Sequence, residues 1–267
     1  MNILVTNDDG FGAPGLIAIS EALSKKHNVY VIAPSGNRSG KGMSVHIASP
    51  LAYSRFDDHH FACSGNPVDC VIAGTRTNIV SCDIDLVVSG INKGPNMGTD
   101  IVYSGTCSAA VQATFFGIPA IAVSMNMTNP ELEWEDDFNW DYGPLATFVS
   151  DNLDTLISLA RPSLDADGNA QQSSGVFVNI NAFDKLPYKG IKQTGCCFMK
   201  HDGRSKVDLT DDNKGDFTSV FWGVNAIPVR KEDSDYEACE QGYIALSRVA
   251  VDPFTEPADL SYITWTL

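Results

Sequence analysis

Two hydrophobic periods alternate along the first part of the chain. A short apolar run from Asn2 to Thr6 predicts a strand, and Asn28 to Ala33 predicts a second. Between them Leu16, Ile19, Ala22 and Leu23 recur at helical spacing over Pro14 to Lys26, with Pro14 suited to a first helical turn. That is a βαβ beginning. Farther on, Ser44 to Phe56 and Phe61 to Ser64 read as extended, turned at Asp57-Asp58-His59-His60. Pro67 to Thr75 reads as a helix capped by Asn66. A buried strand over Ile84 to Ser89 follows, then a long Gly- and Asn-rich loop to Gly105, a helix through Phe116 closed by Gly117, and a strand over Ala120 to Ser124. Apolar strands separated by helical segments predict an α/β fold, a mostly parallel sheet with helices on both faces.

The pattern loosens after Asn126. An acidic stretch runs from Glu131 to Asp141, a helix is expected from Tyr142 to Leu159, and a polar turn region from Arg161 to Ser174. Strands are expected at Val176 to Ile180, Gly190 to Met199, Thr218 to Trp222 and Tyr243 to Ala250, with charged loops such as Asp208 to Asp216 between them. The chain thus divides into an α/β core over 1–175, and over 176–267 a completion of that core with a β-rich hairpin extension of the kind that reaches across to a neighbouring subunit.

Composition narrows the function. With 43% hydrophobic and 19% charged residues and no apolar run long enough to span a bilayer, the expectation is a globular protein without a membrane partner. A formal net charge of -15 repels a nucleic-acid polymer, while leaving room for a small anion wherever a cation or aimed N–H groups offset the field. Met1 leads straight into Ile3-Leu4-Val5 with no basic region and long apolar core, which predicts a cytoplasmic protein. Seven cysteines, an odd number without C-x-x-C spacing, then read as reduced thiols rather than as a disulfide framework or a zinc site.

Three loops fall just beyond the carboxyl ends of predicted parallel strands, the edge where open α/β sheets bind ligands. Asn7-Asp8-Asp9-Gly10 sets two carboxylates side by side, an arrangement that invites a cation, although Asp-Asp-Gly also serves as a plain helix cap. Asp8, Asp9, the Ser39 hydroxyl and the Asn92 amide are all oxygen donors, suited to Mg²⁺, Mn²⁺ or Ca²⁺ rather than zinc or copper. Gly10 to Gly15 matches G-x-G-x-x-G, but the preceding carboxylates would repel a pyrophosphate, and Ala33-Pro34-Ser35 lacks the acidic residue that should hold a ribose. Ser35 to Gly42 is no Walker motif, since Gly42 stands where Ser or Thr should bind Mg²⁺. Arg38 and Lys41 read equally as phosphate contacts or as solvated loop cations. The third loop, Gly90 to Gly105, is Gly- and Asn-rich over Ser89 to Gly98 and leads into Tyr103-Ser104-Gly105-Thr106 at a helix start, where N–H groups, dipole and hydroxyls suit a phosphate.

Taken together, these segments resemble the SurE family of 5′/3′-nucleotidases. The agreement covers Met1 to about Ser124: the Asn-Ile-Leu-Val-Thr-Asn-Asp-Asp-Gly opening, Ala33-Pro34 to Ser39-Gly40, Gly65 to Val71, Ser89 to Gly98 with Asp100, and Tyr103 to Thr106 before Ala109-Ala110. The resemblance implies metal ligands at Asp8, Asp9, Ser39 and Asn92, and a phosphate-contacting region at Asn96, Ser104, Gly105 and Thr106. It implies a Rossmann-like three-layer α/β/α core, one divalent cation per subunit, Mg²⁺ or Mn²⁺, a swapped C-terminal hairpin, and a homodimer or homotetramer. The implied reaction is hydrolysis of nucleoside 5′- and 3′-monophosphates, with short polyphosphate as a further substrate. Departures fall at Cys107-Ser108, around Gln193-Thr194-Gly195, and at Ser247-Arg248.

Asp8, Asp9, Asn96, Ser104 and Thr106 are accordingly the expected catalytic group. In-line attack by water and formation of an aspartyl-phosphate on Asp8 both remain open. No histidine falls in these motifs; His46 reads as structural and His59-His60 as a solvated turn. The rival of another class is a nonenzymatic nucleotide or metal sensor that keeps the pocket.

Overall fold

The computed structural model describes residues 1–126, 140–161, 175–201, 207–211, 217–221, 226–229 and 232–251. Among these, nine strands form one sheet in the order β3-β4-β2-β1-β5-β6-β7-β13-β8. They are β1 (Asn2–Thr6), β2 (Asn28–Pro34), β3 (Tyr53–Arg55), β4 (His60–Cys63), β5 (Leu86–Lys93), β6 (Ala120–Asn126), β7 (Val176–Phe183), β8 (Ile191–Gln193) and β13 (Ile244–Ala250). The run from β4 through β2, β1, β5 and β6 to β7 is parallel throughout, whereas β3 and β13 pair antiparallel with it at its two sides. This is the mostly parallel, helix-flanked sheet that the alternating pattern predicted, in the Rossmann-like three-layer form that the resemblance implied.

The layers follow from strand periodicity. On β1, Ile3 and Val5 enter a core shared with α1 (Pro14–Ser24), α4 (Gly143–Asp151) and α5 (Leu153–Leu159), while Leu4 faces α2 (Pro67–Arg76) and α3 (Gly105–Phe115). Both faces are therefore apolar, which is why the central strands read as near-continuous hydrophobic runs. Strand order reverses at β1, with β2 on one side and β5 on the other. A crevice thus lies beyond the carboxyl ends of β1 and β5.

Several expectations need correction. Only Tyr53–Arg55 of the segment Ser44 to Phe56 is a strand, because the His46 N–H and ring are taken by the Asp69 carboxylate instead of a neighbouring strand. The helix expected over Tyr142 to Leu159 is two helices hinged at Asn152, whose Nδ2 donates to the Phe148 carbonyl and closes the first. Gly190 to Met199 divides into β8, which pairs β13, and β9 (Phe198–His201), which pairs β12 (Ala226–Val229). The charged loop expected from Asp208 contains β10 (Val207–Asp211), which pairs with β11 (Phe217–Phe221), the strand expected at Thr218 to Trp222. A short helix, α6 (Asp235–Glu240), was not expected, although Ser234 caps it by accepting from the Glu237 N–H, a legible S-x-x-E signal. Residues 131–139 of the acidic stretch, 162–174 of the polar turn region, Trp222 and the C-terminal segment 252–267 lie outside the described residues.

Candidate metal and phosphate site

The first loop is built to present two carboxylates. Asn7 clamps Gly10 from both sides, its Oδ1 accepting from the Gly10 N–H and its Nδ2 donating to the Gly10 carbonyl. Gly10 has φ +119° and packs against Gly36, so a side chain there would be strained as well as crowded. Phe11 N–H donates to the Pro34 carbonyl at 2.7 Å and Arg38 N–H to the Asp8 carbonyl at 2.6 Å, which ties the first loop to the second.

Asp8 is buried, and its partners come from α3. Thr106 Oγ1 donates to Asp8 Oδ1 at 2.7 Å and the Gly105 N–H to Oδ2 at 3.1 Å. The first anion at this helix N-terminus is therefore the Asp8 carboxylate, and a Cβ on Gly105 would stand 2.8 Å from it. Burial pushes the Asp8 carboxyl above the usual carboxylate range, opposed by the Thr106 hydroxyl and the N–H donors. Asp9 turns the other way, its Oδ2 accepting from the Lys93 N–H at 2.9 Å.

Asn92 arrives through a break in β5. The register against β6 shifts between Ser89 and Asn92, at Gly90, where φ is +135° and any Cβ would run into the Val123 carbonyl. The shift re-aims Asn92 so that its Oδ1 lies 3.3 Å from Thr106 Oγ1, with its Nδ2 held by the Lys93 and Gly94 carbonyls. Asp8 and Asn92 oxygens thus converge on one hydroxyl. Ser39 is exposed, one residue beyond the Arg38 contact to Asp8, with its N–H held by Asn37 Oδ1.

The donor set fits a hard divalent cation. Among the described residues no ion pair reaches buried Asp8, and a buried carboxylate without a counter-charge is costly. No group of three or more His, Cys, Asp or Glu side chains that could hold a metal occurs among the described residues, so a cation here needs the Asn92 amide and Ser39 hydroxyl beside the two aspartates.

Of the other expected residues, Ser104 caps α3, its Oγ accepting from the Cys107 N–H, which leaves its own proton to donate outward. Asn96 is buried with its Nδ2 on Ser124 Oγ at 2.7 Å, its N–H on Asn181 Oδ1, and its carbonyl accepting from Asn179 and Asn181 Nδ2. Arg38 sends its guanidinium to the Ser64 and Gly65 carbonyls, a structural use. His46 is tied to Asp69, which also accepts the Asn66 N–H at the start of α2. Sequence reasoning missed the support behind these loops: Asn179 and Asn181 on β7, and Asp235, which accepts from the Gly98 and Cys197 N–H groups. Two asparagines in the otherwise apolar run Val176–Phe183 were the available signal.

Fold and site define a switch-point α/β protein whose crevice gathers acidic and amide oxygen donors at a helix N-terminus. The family model described as survival protein SurE matches residues 3–203. A 5′-nucleotidase SurE from Clostridium beijerinckii is 36% identical, covering 99% of this chain and 98% of that one, and one from Petrotoga mobilis is 36% identical over 94% and 93%. The crystal structure of the SurE protein from Aquifex aeolicus superposes with a TM-score of 0.71 at 29% identity, covering 94% of each chain. The chain belongs to the SurE family.

Proposed function

We propose that this chain is a divalent-metal-dependent phosphomonoesterase that hydrolyses nucleoside 5′- and 3′-monophosphates to nucleoside and phosphate, and that also accepts short polyphosphate. The observation that carries the reading is the convergence of Asp8 and Asn92 oxygens on Thr106 at the start of α3, with Asp9 next in the chain and held by the Lys93 N–H. The relatives named 5′-nucleotidase SurE support the nucleotide monophosphatase part of it.

Asp8, Asp9, Ser39 and Asn92 would hold one Mg²⁺ or Mn²⁺ per subunit. Such a cation supplies Lewis-acid polarisation of a phosphoryl oxygen and a lowered pKa for water. Ser104 would donate its hydroxyl proton to an equatorial phosphoryl oxygen, supported by the α3 dipole. Asn96, its amide nitrogen committed to Ser124, would position the loop that carries Asn92. Both Asp8 oxygens already accept hydrogen bonds, which lowers their nucleophilicity and favours attack by water over an aspartyl-phosphate. Exposed Phe198, Ile227 and Val229 on the β9–β12 pair support assembly of subunits into a dimer or tetramer.

The deciding experiment measures phosphate released from 5′-AMP and 3′-AMP with Mn²⁺ or Mg²⁺, with EDTA, and with Asp9→Asn. Release is expected only with metal, and is expected to fall at least about 100-fold in Asp9→Asn. Tight nucleotide binding without release under any divalent metal would favour a sensor instead.

A further inference from the structure

A polar row crosses the sheet behind the third loop. Past the Gly90 shift, Asn92 of β5 pairs in register with Ser124 of β6, and Ser124 pairs with Asn181 of β7. Residues in register share a face, and alternation puts these three on the α3 side, because their neighbours Ile91, Val123 and Ile180 all enter the opposite core. Asn179, two residues before Asn181, lies on that side as well. Phe177 fills the same face with carbon, and a buried amide is costly unless its hydrogen bonds are made.

Both β7 asparagines are 1% exposed, and both send their amide nitrogens to one residue, Asn96, which belongs to no helix or strand. The Asn181 side chain meets Asn96 as a peptide group of a neighbouring strand would: Oδ1 accepts the Asn96 N–H at 2.9 Å and Nδ2 donates to its carbonyl at 3.0 Å. Asn179 Nδ2 reaches the same carbonyl at 2.8 Å. Asn96 Nδ2 in turn donates at 2.7 Å to Ser124 Oγ, in the middle of the row. The strand that carries Asn92 needs such a hold. Its pairing with β1 stops at Ser89, and its pairing with β6 resumes only at Asn92 and Lys93.

We propose that Asn181 is a positioning residue that sets the affinity of the centre for its divalent cation, acting through Asn96 and Ser124 on the Asn92 amide. This role rests on Asn92 being a metal ligand with Asp8 and Asp9. A ligand already fixed in place loses little freedom when the cation arrives, and partners behind metal ligands are worth about 10–100-fold in affinity. The effect falls on cation binding rather than on the chemical step, so excess cation should restore turnover.

Titration of the metal-free full chain with Mn²⁺, without nucleotide, followed by electron paramagnetic resonance of the free ion, measures that affinity. Asn181→Leu nearly conserves volume and deletes both bonds to the Asn96 main chain; its Kd for Mn²⁺ is expected to rise about tenfold or more. Ser124→Ala, which deletes only the acceptor of Asn96 Nδ2, should raise it about threefold. Val178→Ala opens the core on the other face of β7, lowers stability, and should leave Kd within about twofold of native. With 5′-AMP and saturating Mn²⁺, kcat of Asn181→Leu should return to within about threefold of native, which a loss of folded protein would not allow. If Kd is native-like in both Asn181→Leu and Ser124→Ala while Asp9→Asn abolishes binding, the positioning role is overturned and the metal site stands. An equal loss in Val178→Ala overturns the role too. If Asn181→Leu does not fold, Ser124→Ala decides. A native chain that binds no Mn²⁺ overturns both the role and the metal site.

Discussion

Thr106 sets the state of Asp8 more than any other side chain, because its hydroxyl is the one donor shared between the carboxylate and the Asn92 amide. Thr106→Val removes that proton while nearly conserving volume. It should lower kcat at least tenfold and destabilise the fold by about 1–3 kcal/mol through an unsatisfied buried acceptor, whereas Thr106→Ser should retain most of both. Gly105→Ala is expected to be as damaging for a steric reason, since the new methyl would stand 2.8 Å from Asp8 and push the carboxylate off its position. Steady-state kinetics with urea unfolding of the three variants checks these outcomes. Rapid-quench experiments with labelled nucleotide should trap no phosphoenzyme, because both Asp8 oxygens are already engaged.

At the scale of elements, Asp69 joins two of them. It accepts the His46 N–H and ring nitrogen from the second loop and the Asn66 N–H at the start of α2. Asp69→Ala should cost about 3 kcal/mol in chemical unfolding, as three donors lose a buried acceptor together. The elements carrying the candidate ligands were legible in the sequence because each is written locally: β1, α1, β2 and β6 have clean periods, and α2 has Asn66 and Pro67 at its start. The β5 break at Gly90 was less visible, since a register shift depends on what Val123 does across the sheet. Least legible was the stretch around β8 to β12, where short strands pair with partners many residues away and charged residues break the alternation. The candidate ligands could be named from residue type and loop position. Their supports could not, because Asn179, Asn181 and Asp235 act on Asn96 and Gly98 across more than eighty residues of chain.

The whole molecule carries a net charge of -15, yet the proposed substrate is an anion. Long-range repulsion should slow its approach, so added inert salt is expected to lower KM for 5′-AMP a few-fold between about 10 and 150 mM ionic strength, where the Debye length shortens to roughly 8 Å. Among the described residues no helix is long and apolar enough to cross a membrane. All the proposed ligands lie between Asp8 and Thr106, yet the loop that carries Asn92 is clasped by Asn179 and Asn181 of β7, and the following turn by Asp235 of α6. Chemistry and scaffolding are thus divided between the two halves of one chain. During synthesis, the nascent amino-terminal half would leave the ribosome with every proposed ligand in hand but without its clasp, so that the proposed centre could take shape only after β7 and α6 have also emerged.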